Sequence, residues 1–429
     1  MKKIYYLLTI VFTFLLIYYP PLTSINMLHV IGVISWVYIF INFFKIIRHF
    51  NMEIIVIIYI VLFSFMIYLA IIAAANGTSI AIANKSFLFW TADVIPASIV
   101  IVDLLGRKLN RNNGKEISEQ FLKLIMIVGF IQAGLSLIAF LNPNFQAWFI
   151  SQMINYGYDE TRYTALANFR WYGVASNLAM TTSVVQAFIS VIMIYLAVNY
   201  KITYLFGAFA VFFSAFINSR NSFVVVTVGI ALMLLLNLKN KKINVNKVIK
   251  VIFITLVSGI FISTMMYILS EVSPVTYEWL VDGISDFIKL IFGSYSSDGS
   301  NDYVDYVTDS SVYTLPPTLG SILFGTGEYT NSSNILGFAT DVGYVNDIWL
   351  GGVVYALAMY SIFILAINKL IHYYNSKNNG KFVFISLFFL SQFIVQNVKG
   401  YVFSLNDLST LFILFFIITF MRERRSNER

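Results

Sequence analysis

Two arginines and a short run of acids and aromatics are the residues best equipped for chemistry. Arg170 stands in Ala-Asn-Phe-Arg170-Trp-Tyr-Gly173, and Arg220 stands in Asn218-Ser-Arg220-Asn-Ser222. A guanidinium presents a planar fork of donors that fits phosphate oxygens, so each is a candidate for holding an anion. The structural alternative is an arginine reaching along apolar surface to a lipid head group. Arg162 lies in Tyr-Asp159-Glu160-Thr-Arg162-Tyr, where a local ion pair competes with a binding role. A later stretch runs from Gly325-Thr-Gly327-Glu328 to Asp341-Val-Gly-Tyr344-Val-Asn-Asp347. There a carboxylate, a tyrosine and a second carboxylate follow at helix-like spacing. Glycines at 325, 327, 337 and 343 permit close approach of backbone to a ligand. Loop-to-helix junctions suit chemistry because backbone donors, water and a rigid scaffold meet there. Asp341 or Asn346 also suits a helix cap, for a helix expected to start near Val345.

The composition says what must position these groups. Of 429 residues, 59% are hydrophobic and 11% are charged. Soluble domains carry about 25% charged residues, so the chain reads as a membrane protein. The absence of cysteine excludes disulfides, a thiol nucleophile and thiolate metal sites. His29, His49 and His372 are too scattered for a metal-site motif, so no metal is expected. The net charge of +7 reflects topology rather than nucleic-acid binding. Met1-Lys2-Lys3 and the apolar run after it read as a retained first helix, because no Ala-x-Ala cleavage signal follows.

A spanning helix needs roughly 20 apolar residues. Twelve such runs are expected, near 4–20, 25–44, 54–75, 87–105, 121–141, 174–197, 202–218, 222–237, 251–270, 346–368, 382–398 and 405–421. The expected fold class is therefore an all-α polytopic membrane protein with about twelve transmembrane helices in one domain, 1–429. With the amino terminus inside, Lys45, Arg48, Arg107, Lys108, Arg111, Lys115, Lys201, Lys239, Lys241, Lys242, Lys247, Lys377 and Lys381 all fall in inner connections. This charge bias places both termini in the cytoplasm. Arg170 and Arg220 break it and fall outside.

Two outer segments are long, 142–173 and 271–345, the second between the ninth and tenth helices. Near 276–292 the second carries an amphipathic pattern. Leu280, Ile284, Phe287, Ile288 and Ile291 share one face, and Glu278, Asp282 and Asp286 another. That helix either lies along the membrane surface or packs on the membrane domain. Asp298, Asp302, Asp305 and Asp309 interleave with Tyr303 and Tyr306 without matching a calcium loop, and read as a solvated loop. Asp93 lies inside the fourth run, three residues before Pro96. An acid there is functional by default, although a structural role beside the proline is as well supported.

Architecture and motifs together resemble the bacterial Wzy-type polysaccharide polymerases, within the O-antigen polymerase and ligase group of membrane glycosyltransferases. The resemblance rests on Phe-Arg170-Trp-Tyr-Gly173, Asn218-Ser-Arg220-Asn-Ser222, Leu-Phe-Gly325-Thr-Gly327, and Asp341-Val-Gly-Tyr344 followed by Gly351-Gly352. Asp341 stands where the ligases carry a histidine, which favours polymerase. The resemblance implies a metal-independent, cofactor-free reaction at the outer face of the bacterial inner membrane, in O-antigen or capsule biosynthesis. A glycan on undecaprenyl diphosphate is transferred to the next undecaprenyl-diphosphate-linked repeat unit, so donor, acceptor and membrane lipid are the partners. A chain-length regulator protein is a further partner it admits, and nucleic acid is not one. In that reaction Arg170 and Arg220 would stabilise the leaving diphosphate. Asp341 is the first candidate for the base, Glu328 the second, with Asp159 and Glu160 behind them. Tyr344 would orient the base or stack on sugar.

Three alternatives are weighed against this reading. A ligase is disfavoured by the missing histidine. A lipid-linked oligosaccharide flippase or transporter is favoured mainly by Asp93. A transferase using a lipid monophosphate donor generally shows paired acids in its first outer loop, and Pro21-Leu-Thr-Ser24 has none.

Overall fold

A run of apolar side chains in lipid leaves the backbone no partner but itself, so it closes its hydrogen bonds as a helix. The computed structural model describes residues 2–22, 25–108, 114–176, 181–239, 245–292, 310–330, 340, 342–398, 400 and 406–420. Over these residues the chain is all-α apart from one two-residue antiparallel pairing, Pro21–Leu22 with Ile25–Asn26. Each of the twelve apolar runs contains a helix. Among the described residues, five are long and apolar enough to cross a membrane: Met52–Asn76, Ala83–Arg107, Ile117–Leu141, Thr181–Asn199 and Gly343–Ser376. A sixth is counted if Met27–Ile41 and Phe43–His49, bent by 86° at Asn42, form one span. Among the rest are shorter apolar helices, such as the 13-residue Tyr204–Phe216. At about 1.5 Å per residue, 13 residues reach about 20 Å, less than the roughly 30 Å hydrocarbon core.

The chain divides into two compact units. The first comprises Met1–Ile17, Met27–Leu124 and Asp309–Arg429, and the second Tyr18–Asn26 and Ile125–Thr308. Each is built on one span that its own neighbours bury almost completely, Ala83–Arg107 in the first and Thr181–Asn199 in the second. In the first unit the core is aromatic. Phe121, Phe382 and Phe389 stack on Phe415 at ring separations of 5.7, 6.0 and 5.9 Å.

The buried span of the first unit is irregular at Asp93, the first of its two acids. Phe89–Val94 forms a π-helical turn, and Asp93 within it is buried and bonded to His29 Nδ1 at 2.8 Å. The extra residue in such a turn leaves helical carbonyls short of donors. Tyr59 donates to the Thr91 carbonyl at 3.0 Å. Gly32 makes the room, since a Cβ there would lie 2.3 Å from Asp93 Oδ1.

The first long loop is helical over much of its length, as Pro143–Tyr156 and Glu160–Ala167. Asn142 caps the former by accepting from the Asn144 and Phe145 amides, and Gly157 ends it at φ +106°. The amphipathic pattern at 276–292 corresponds to the helix Pro274–Phe292. Leu280 is fully buried, and Leu280 and Ile284 pack with Phe212, Phe216, Ile217 and Leu269. The helix therefore packs on its own unit through Leu280 and Ile284.

Candidate functional site

The second unit fixes the backbone around Arg170 with three amide side chains from three places in the sequence. The Gln146 amide donates to the carbonyls of Ala167 and Arg170 at 3.0 and 2.6 Å. The Gln132 amide donates to the Tyr172 carbonyl at 2.7 Å. Asn218 clamps Trp171 from both sides, accepting from its N–H and donating to its carbonyl, each at 2.8 Å. All three amides are buried. A buried peptide group without a partner costs about 1–3 kcal/mol, so these contacts hold the loop in one conformation. Gly173 turns the chain at φ +63°, where a Cβ would stand 2.9 Å from Gln132 Nε2.

Asn218 does a second job, because it begins the turn that carries Arg220. The motifs around residues 170 and 220, 50 positions apart, are therefore one structure. Both guanidiniums converge on the ring of Trp279 in the Pro274–Phe292 helix. The Arg170 Cζ lies 5.1 Å and the Arg220 Cζ 5.0 Å from its centroid. Arg170 also lies over Phe169 at 5.5 Å, and the Phe169 and Trp279 rings are 5.3 Å apart. Arg220 donates to the Trp279 carbonyl at 2.5 Å. Its stem crosses the helix at Gly283, where a Cβ would be 2.2 Å from Arg220 Cδ. Each cation–π contact contributes about 0.5–2 kcal/mol, depending on desolvation. Both arginines and Trp279 are half-buried, so the cations are held and still meet solvent. Two like charges are thus gathered about one aromatic ring.

The first unit holds the glycine-rich stretch. The helix Gly343–Ser376 breaks at Gly352, with φ +74° and ψ 178°. Three successive carbonyls near the break take partners from outside the helix. Trp349 accepts from the Thr326 N–H at 2.7 Å and its hydroxyl at 2.9 Å, Leu350 from the Gly327 N–H at 3.0 Å, and Gly351 from the Tyr68 hydroxyl at 2.9 Å. Gly325 and Gly327, both at positive φ, press against this structure. A Cβ on Gly325 would lie 2.6 Å from Gly351 Cα, and one on Gly327 2.8 Å from Ala73 Cα. The close approach that these glycines permit is thus to the chain's own backbone. Glu328 is half-buried and accepts from the Ser79 amide at 3.4 Å.

The helix begins at Gly343, and its cap position, Val342, offers no side-chain bond. Asn346 does not cap with its side chain. Its carbonyl accepts from the Thr330 N–H and hydroxyl at 3.1 and 2.9 Å, and its amide donates to the Thr340 carbonyl at 2.7 Å. It thereby ties together the two ends of the 331–339 segment. Asp341, Gly337 and the acids at 298–309 lie outside the described residues, as does the side chain of Arg162. Arg162 itself, with Glu160, belongs to the Glu160–Ala167 helix, and Asp159 and Glu160 are exposed. Tyr344 donates to the Ile394 carbonyl at 2.7 Å and meets the Tyr360 ring edge-on at 5.8 Å. Beside it Asp347 is buried, accepting from Tyr360 at 2.6 Å and Asn397 at 3.2 Å through the same oxygen.

Among the sequence-derived candidates, Arg170 and Arg220 are brought together in one unit. Gly325, Gly327, Glu328 and Tyr344 belong to the other unit. Trp279 is the participant that motif reading missed. The only signal was a tryptophan on a helix otherwise read for its aliphatic and acidic faces. No protein-family model, characterised protein or solved structure matches this chain.

Proposed function

We propose that this chain is a membrane glycosyltransferase that polymerises lipid-linked oligosaccharide repeat units at the outer face of the bacterial inner membrane. The observation that carries the proposal is the convergence of Arg170 and Arg220 on Trp279. Both arginines break the charge bias of the connections. Under this reading all twelve apolar helices cross or enter the bilayer, both termini are cytoplasmic, and the segments 142–173 and 271–345 face outward.

In the proposed reaction the acceptor hydroxyl oxygen bonds to the anomeric carbon of the donor glycan. The carbon–oxygen bond to the diphosphate breaks, its electron pair leaves with undecaprenyl diphosphate, and the hydroxyl proton passes to a base. Charge grows on the leaving diphosphate, and fixed cations stabilise it because they need no rearrangement as it forms. Loss of one such donor costs about 100- to 1,000-fold in rate. Asp341 remains the proposed base on sequence grounds.

The test is the polymer ladder of a strain lacking this gene. One repeat unit per acceptor, with the ladder restored by the intact gene, supports a polymerase. Polymer accumulating on the lipid carrier without transfer to a final acceptor supports a ligase instead. Repeat units held on the cytoplasmic leaflet support a flippase, for which the buried Asp93, bonded to an exposed His29, is the structural argument.

A further inference from the structure

The two arginines reach their positions from different elements, one on a loop and one on a helix–helix turn, and they share one object, the Trp279 ring. We infer that Trp279 is a specificity-determining, positioning residue that makes Arg170 and Arg220 act as one site selective for diphosphate over monophosphate. The inference rests on the polymerase reading only in taking the site to bind phosphate.

Each guanidinium carbon is about 5 Å from the same centroid, so the cations cannot be further apart than the sum of those two distances. Neighbouring phosphates of one diphosphate can each meet a fork of donors at that spacing. A single phosphate engages one fork fully and leaves the other cation with less to bind. Free in solution, two like charges on long side chains would drift apart. Here attraction to the one ring opposes that drift for both. The Pro274–Phe292 helix adds two further restraints on Arg220. The Trp279 carbonyl accepts from its guanidinium, and Gly283, one turn on, leaves the groove that its stem fills. Leu280, between them, anchors the helix in the apolar core of the unit. The helix is thus anchored in its unit, and its Trp279 ring keeps both guanidinium carbons within about 5 Å of one point. No charge is contributed by Trp279 itself, so its role separates cleanly from that of the arginines.

The experiment is calorimetric titration of the full-length protein in lipid nanodiscs with inorganic pyrophosphate and, separately, orthophosphate. The unaltered chain is expected to prefer pyrophosphate by at least about tenfold. Trp279→Leu keeps both charges and is expected to lose about tenfold in pyrophosphate affinity, with orthophosphate affinity nearly unchanged, so that the preference falls towards one. Trp279→Phe retains a ring and is expected to restore most of the preference. Gly283→Ala, which displaces the Arg220 stem and leaves the ring in place, should lower the preference in the same direction. If Trp279→Leu unfolds the protein, Trp279→Phe and Gly283→Ala decide the matter. A full preference in Trp279→Leu, or, where that variant unfolds, a full preference in Gly283→Ala, overturns the inference. Unaltered pyrophosphate affinity in Arg170→Ala and Arg220→Ala is a different failure, because it removes the anion site and with it the polymerase reading.

Discussion

Asn218 carries no charge and reaches no solvent-facing ligand, yet its removal is expected to disable the arginine site. Its amide satisfies the Trp171 N–H and carbonyl at 2.8 Å each and donates to the Ser214 carbonyl at 2.7 Å. In Asn218→Ala three backbone groups lose this partner, and the two on Trp171 are the ones counted here. At about 1–3 kcal/mol for each group, and nearer the low end because Trp171 is half-buried, the expected loss is about 2–4 kcal/mol. The functional loss exceeds what that figure suggests. Trp171 adjoins Arg170, and a misplacement of about 1 Å in a positioned group costs up to about 100-fold in rate. Asn218→Asp sharpens the test. A carboxylate accepts but cannot donate, so it keeps the Trp171 N–H contact and sets an oxygen against two carbonyl oxygens. It is expected to be at least as damaging as alanine. The assay pairs the polymer ladder of the complemented strain with thermal unfolding of purified protein. Asn221→Ala, in the same turn, is the control. A normal ladder and an unchanged unfolding temperature in both Asn218 variants would refute the claim that this amide holds the site.

Gly352→Ala should cost at least about 1–3 kcal/mol, because alanine is strained at its dihedral angles and its Cβ would sit 2.2 Å from the Leu323 carbonyl. Thermal unfolding checks this against Gly134→Ala, which meets no atom within 4 Å and should be neutral or slightly stabilising. Gly32→Ala should destabilise by displacing the Asp93 carboxylate, and pairing it with Asp93→Ala should recover part of the loss. Strict additivity in that double variant would show that glycine and acid are not coupled. Single cysteines introduced at exposed Glu160 and Lys377 test orientation in this cysteine-free chain. An impermeant thiol reagent applied to intact cells should label the first and spare the second, and the reverse pattern would invert the proposed topology.

Helix positions were legible because lipid leaves an apolar run one way to satisfy its backbone, and that rule acts locally. The amphipathic helix was legible for a similar reason, since Leu280 and Ile284 repeat at helical spacing. The break at Gly352 was less so. Gly351-Gly352 is visible as a pair, but its meaning depends on Gly325-Thr-Gly327 arriving to fill the gap, a contact with no period in sequence. The same gap explains why those glycines read equally well as a ligand loop. Arg170 and Arg220 stood out by violating the charge bias, a signal that marks single residues and says nothing of their neighbours. That they meet depends on amides such as Gln132, Gln146 and Asn218, whose bonds to distant backbone follow no motif.

The most direct test of the central claim is transfer by purified protein in proteoliposomes, with undecaprenyl-diphosphate-linked repeat units as both donor and acceptor. Arg170→Ala and Arg220→Ala are compared with the unaltered chain. The account predicts chain extension by the unaltered protein and a loss of about 100-fold or more in each variant, with folded protein recovered in equal yield. Extension at the unaltered rate by both variants would contradict it.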